Sequence, residues 1–217
     1  MTNHPYLSGV RLLLAAVFLR AACSPLLAQS TAAPVEPGKY VEKDGTIHLP
    51  EDYRLKWVHL GSWFDEDDKG GPGSMHDVYA EPAAVEAFRV TGQWPHGATL
   101  VKEIRNARKA RLTTGVAHWD GEIIQWFVMV KDANNTFPGN PNWGRGWGWG
   151  LFSIDNPKKN ISTDYKIDCL GCHVPAKQSD WIYTHGYPVL SEKDGPFKKY
   201  PASLYDPLPG EAKANPK

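Results

Sequence analysis

The chain has 217 residues, 41% hydrophobic and 22% charged, as in an ordinary globular protein with enough apolar material for one packed domain. Its 24 basic and 24 acidic side chains cancel, which argues against nucleic acid and against electrostatic membrane binding.

The N-terminus reads as a targeting segment. Arg11 precedes the apolar run Leu12 to Leu19, and a second run ends at Leu26-Leu27-Ala28, where a small residue suits a signal peptidase. A retained anchor would need about 20 uninterrupted apolar residues, and Arg20 breaks the run. Lipidation of Cys23 is the other alternative, with Arg20 standing where an aliphatic residue is expected. The expected organisation is a signal peptide over 1–28, a flexible Ala/Pro-rich leader over 29–39, one domain over 40–204 and a disordered polar tail over 205–217.

Within the domain, Glu81-Pro82 predicts a helix start, Ala84, Val85 and Phe88 share a helical face, and Gly92 is a stop. Thr99 to Arg105 alternates as a strand and Thr113 to Trp119 reads as a second. Asp120-Gly121 is a two-residue hairpin signal, with Glu122 to Lys131 as the return strand. Asn134-Asn135 and Pro138-Gly139 mark turns. Trp147 to Phe152 reads as another strand, with Trp147, Trp149 and Leu151 on one face and Gly148 and Gly150 on the other. The sum is a β-rich α+β fold: an antiparallel sheet with a few helices.

Cys169-Leu170-Gly171-Cys172-His173 carries the chemistry. Two thiols at this spacing add to the two vinyl groups of one haem, and the adjacent His reaches the iron as an axial ligand. A redox CxxC belongs to a thioredoxin-like α/β pattern, which is absent. A zinc site needs about four ligands, and Cys23 is the only other cysteine in the chain. The motif therefore predicts one covalent haem c on Cys169 and Cys172, with His173 on the iron, packed against the sheet. The sixth position decides between electron carrier and open site. Met75, in a Gly-rich loop, and His76 are the candidates for it, whereas Met129 reads as core.

Two further residues stand out. Alternation places Lys102 on the face of Leu100 and Ile104, costly for a lysine unless it is paired or reacted. One reading is an edge lysine that snorkels to water; the other is a lysine aimed at the haem pocket. Asp168 reads as a helix cap before Cys169. Asp164, nine residues before His173, is either a cap or a carboxylate folded over the iron as proton acceptor.

With these residues in view, the chain resembles the cytochrome P-460 family from Tyr53-Arg54 to Leu190. The segments that carry the resemblance are His76-Asp77-Val78-Tyr79, Gly97-Ala98-Thr99-Leu100-Val101-Lys102-Glu103, Trp126 through Asp132, Gly146-Trp147-Gly148-Trp149, Asp164-Tyr165-Lys166, the haem motif, and Asp180-Trp181-Ile182-Tyr183 to Leu190. The resemblance implies a periplasmic homodimer with a five-coordinate haem on His173. In hydroxylamine-oxidising members it also implies a lysine cross-linked to the porphyrin, here Lys102. It implies a carboxylate over the distal site as well: Asp164 looks like its equivalent, one methylene shorter than the Glu expected there. A pocket arginine is implied too, with Arg54 the candidate. The expected reaction is oxidation of hydroxylamine to nitric or nitrous oxide, with electrons passing to a soluble cytochrome. The rival readings are a non-enzymatic nitric-oxide-binding cytochrome of the c′ type and a plain electron carrier.

Overall fold

The computed structural model describes residues 39–191, together with Met1. The expected signal peptide, Cys23 and the tail over 205–217 lie outside the described residues, as does the leader up to residue 38.

Two short helices and a long hairpin organise the first part of the domain. Helix α1 (Tyr53–Lys56) leads into strands β1 (Val58–Asp65) and β2 (Ser74–Ala80), then helix α2 (Pro82–Thr91). Proline opens α2 and Gly92 ends it in the left-handed region at φ 73°, as the Glu81-Pro82 and Gly92 signals predict. Ala84 and Val85 are its buried residues, with Phe88 packed beside them. Strands β3 (Thr99–Leu112), β4 (Gly115–Lys131), β5 (Trp143–Gly144) and β6 (Trp147–Ser153) follow. Short helices α3 (Tyr165–Asp168) and α4 (Leu170–His173) then carry the cysteine motif.

The six strands form one sheet in the order β1-β2-β3-β4-β6-β5, and every pairing is antiparallel. The β-rich α+β fold is therefore present. The expected hairpin at Asp120-Gly121 is not. The chain reverses at Thr113-Thr114, and β4 runs straight through Asp120 and Gly121. The pair sits beside an irregularity in the β3–β4 ladder, where the register shifts around Arg105. A Cβ on Gly121 would lie 2.7 Å from the Asn106 carbonyl oxygen, so this glycine permits a close backbone approach rather than a turn.

Alternation gives the sheet two buried faces. Leu100, Met129, Trp147 and Trp149 pack on one side with Val78, α2 and the C-terminal residues Tyr165, Cys169, Trp181 and Ile182. Val101, Trp126, Val128, Val130 and Phe152 pack on the other with Val41, Ile47, Tyr53 and Trp143. Strand β6 explains its own composition. Trp147 and Trp149 fill the first face, while a Cβ on Gly148 would come within 2.7 Å of the Trp143 ring on the second. Each fully buried large side chain of this kind contributes about 1.5–3 kcal/mol.

Candidate functional site: a cavity between the sheet and the cysteine motif

A cavity of about 300 Å³ opens between the first sheet face and the C-terminal segments, within the roughly 300–1,000 Å³ common for small-molecule and cofactor pockets. The sheet contributes Trp63, Asp65, His76, Val78, Leu100, Lys102, Phe127 and Met129; the facing layer contributes Cys172, His173, Ile182, Tyr183 and Tyr187. The alternation that places Lys102 on the face of Leu100 is therefore realised, and it aims the lysine into a cavity that the cysteine motif closes.

The motif itself is short helix. Cys169 stands at the N-terminal boundary of α4 without a side-chain capping bond and is buried, Cys172 is exposed, and neither is in a disulfide. Burial pushes the Cys169 thiol up to about 11, so it is a neutral, protonated group in the core. His173 Nδ1 lies 2.6 Å from the Trp181 carbonyl oxygen. A carbonyl can only accept, so Nδ1 carries the proton and Nε2 keeps its lone pair. Burial holds the His173 pKa down to about 4, so the ring is neutral at physiological pH. The Trp149 indole meets it edge-on at 5.1 Å between centroids. Two unbridged thiols, a neutral imidazole with a free lone pair and an apolar-walled cavity beside them are the donor set and the surroundings that a covalently attached haem requires.

On the sheet wall, burial depresses the Lys102 pKa. Among the described residues its ammonium has no ion-pair partner and stands 4.7 Å over the Phe127 ring. His76 Nε2 lies 2.9 Å from Ser74 Oγ and 3.4 Å from Asp65 Oδ2. Burial first, and the charge of Lys102 second, lower the His76 pKa, keeping a neutral ring on the wall. Asp65 is largely exposed, so the His76–Asp65 pair runs from the cavity to solvent.

Four sequence expectations change here. Asp164 does not line the cavity. Its carboxylate accepts from the Lys166 backbone N–H at 2.8 Å and caps α3, because a carboxylate at that backbone position satisfies an otherwise orphaned donor. Asp168 is not the cap; it ends α3 and accepts from the Thr163 N–H at 2.8 Å. That bond and the one from the Asp164 N–H hold its carboxyl below the usual range. Arg54 lies across the sheet from Lys102. It donates to Glu103 from Nε at 2.9 Å, and Glu103 alternates with Lys102 onto the opposite face. Met75 likewise faces away from the cavity, since His76 and Val78 take the Lys102 side. The carboxylate that does line the cavity, Asp65, was not singled out. Its signal is alternation with Trp63 along β1.

The cap role of Asp164 has a measurable consequence. Asp164→Ala should cost about 0.5–1 kcal/mol, the low end for losing a helix cap, because α3 has only four residues. Thermal unfolding should show that small loss, while the absorption spectrum of the holoprotein stays as in the wild type.

A model of the cytochrome P460 family matches residues 50–184. No curated protein matches the chain.

Proposed function

The chain belongs to the cytochrome P460 family, whose members are c-type haem proteins with the haem covalently bound, and from that premise we propose that it oxidises hydroxylamine in the cavity between Lys102 and His173. The observation that carries the reading is the convergence on one cavity of His173, Cys172, a buried lysine and a histidine–carboxylate pair. Haem held there would supply an iron centre able to accept electrons from a substrate nitrogen.

The protein's own residues do the rest. Cys169 and Cys172 would tether the macrocycle, and His173 would offer Nε2 to the iron while its Nδ1–H is held by the Trp181 carbonyl. Phe127, Met129 and Leu100 exclude water from the wall. Conversion of hydroxylamine to nitric oxide releases three protons and three electrons; conversion of two molecules to nitrous oxide and water releases four of each. The electrons pass to a soluble cytochrome. The neutral His76 ring accepts a proton from the substrate, and Asp65 at the mouth relays it to solvent. The protein acts in the periplasm after removal of the leader, as a homodimer.

Lys102 is the residue we assign to the cross-link with the porphyrin edge. A lysine held in an apolar wall with no ion-pair partner among the described residues is costly unless it reacts, and depressing its pKa makes the amine nucleophilic; joining it to a porphyrin-edge carbon would exchange one N–H and one C–H bond for the C–N bond, releasing two protons and two electrons to a peroxide-class oxidant. The cross-link predicts a strongly red-shifted ferrous Soret band. Lys102→Ala should lose that shift and lower hydroxylamine-dependent acceptor reduction at least tenfold. Tryptic digestion should release the Lys102 peptide joined to the haem peptide. An ordinary high-spin spectrum in the wild type, with two separate peptides, would overturn the reading. It would leave the non-enzymatic nitric-oxide binder, which the apolar wall of Phe127, Met129 and Leu100 favours.

A further inference from the structure

The carbonyl that orients His173 belongs to an unusual turn. Asp180 and Trp181 adopt φ 57° and 68° in succession, the left-handed region that residues with a Cβ avoid and that is rarest for bulky side chains. Two consecutive residues of this kind persist only where their surroundings over-determine them. Part of the restraint is local. The Trp181 N–H donates to the Ala176 carbonyl at 2.9 Å, and Ser179 Oγ donates to the Ile182 carbonyl at 2.6 Å.

The other part comes from the sheet. Lys131 Nζ meets both carboxylate oxygens of Asp180, at 2.9 and 2.7 Å. The Trp147 indole N–H donates to the Asp180 carbonyl at 3.0 Å, and the Lys131 ammonium sits 4.8 Å over the same indole. Lys131 ends β4, Trp147 begins β6, and the two are ladder partners. A rigid sheet end therefore grips the residue immediately before the carbonyl that fixes the His173 ring.

We propose that Lys131 and Asp180 are positioning residues for the axial histidine: their ion pair holds the left-handed turn that keeps the Trp181 carbonyl on His173 Nδ1. The inference rests on the reading of His173 as iron ligand. A strong hydrogen bond from Nδ1–H makes the imidazole a better donor, which favours ferric over ferrous iron. Loosening the turn weakens that bond and raises the reduction potential.

The test uses the full-length holoprotein and reads the midpoint potential and the iron–imidazole stretch of the ferrous form by resonance Raman. Lys131→Met and Asp180→Asn should both raise the potential, each by about a tenfold change in the ferrous-to-ferric ratio, or roughly 59 mV for one electron. Both should lower the stretching frequency. A through-space charge effect would instead move the two variants in opposite directions, since one removes a cation and the other an anion. Asp180→Gly and Asp180→Ala complete the set. Each removes the carboxylate, but glycine accepts the left-handed conformation without strain, so Asp180→Gly should shift the potential less than Asp180→Ala. Opposite shifts for Lys131→Met and Asp180→Asn, no shift in either, or equal shifts for Gly and Ala would overturn the proposal. A wild-type ferrous protein without an iron–imidazole stretch would overturn the assignment of His173, and the proposal with it. Asp180→Gly keeps the comparison available if Lys131→Met fails to fold.

Discussion

In a Lys102→Ala background, a Cys169→Ala, Cys172→Ala double variant should carry no covalent haem: its denatured mass should equal the bare polypeptide, and haem staining after denaturing electrophoresis should vanish. The two single variants should differ. Cys169 is buried in the first core, 3.9 Å from Ser162 Oγ, and its thiol is pushed up to about 11 by that burial. Cys172 is exposed and lines the cavity. Cys169→Ala therefore removes a packed core atom as well as a thioether and should lower both haem yield and thermal stability. Cys172→Ala should lower haem yield with little change in the stability of the polypeptide. His173→Ala leaves both thiols in place, so covalent haem should persist at reduced yield while the spectrum loses its proximal imidazole. Met75→Leu, on the far side of β2, should change none of these. Covalent haem surviving in the double variant without Lys102 would show that attachment does not run through the CxxCH motif.

How far the sequence shows this arrangement follows from which features are local. Strand alternation is local, so the placement of Lys102 on the face of Leu100 and the split of Trp147 and Trp149 from Gly148 and Gly150 could be read directly. The α2 boundaries were legible because Pro82 and Gly92 act within one turn of chain. Asp120-Gly121 misled because the same dipeptide serves a hairpin or a close strand contact, and only the pairing of β3 with β4 decides which. Asp164 had two readings at the sequence level, cap or distal carboxylate. Choosing between them required knowing that the Lys166 N–H lies 2.8 Å from its side chain. Arg54 could not be placed at all from the sequence, since its partner Glu103 stands 49 residues away. The Asp180-Trp181 turn was likewise hidden. Trp181 does not signal a left-handed conformation, and part of what imposes it comes from two strands distant in sequence.

The largest loss of stability should come from Glu103, on the face of β3 opposite the cavity. Its side chain is 1% exposed and collects donors from three elements. Arg54 donates from α1 at 2.9 Å, the Trp126 indole from β4 at 3.3 Å, and Tyr53 and Arg105 donate as well. Tyr53 in turn accepts from the Trp126 N–H at 2.9 Å. Glu103→Ala would leave the Arg105 guanidinium, which is 14% exposed, with the Gly121 carbonyl but no counter-charge, and would leave the Tyr53 hydroxyl without its acceptor. Removing one member of a buried ion pair costs about 3–5 kcal/mol, which for a domain of this size lowers Tm by roughly 6–20 °C. Arg54→Met should cost much less, because Arg54 is 43% exposed and Arg105 still neutralises the carboxylate; it should leave the haem spectrum unchanged. A spectral change in Arg54→Met would place Arg54 in the pocket after all. The network also fixes function through register. A slip of one residue along β3 would carry Glu103 into the cavity and Lys102 out of it, so the ion pairs that hold Glu103 under the sheet also keep Lys102 above it. Glu103→Ala protein that still folds should therefore show heterogeneous spectra, with the red-shifted ferrous band reduced in proportion to the fraction of chains in which Lys102 has lost its place.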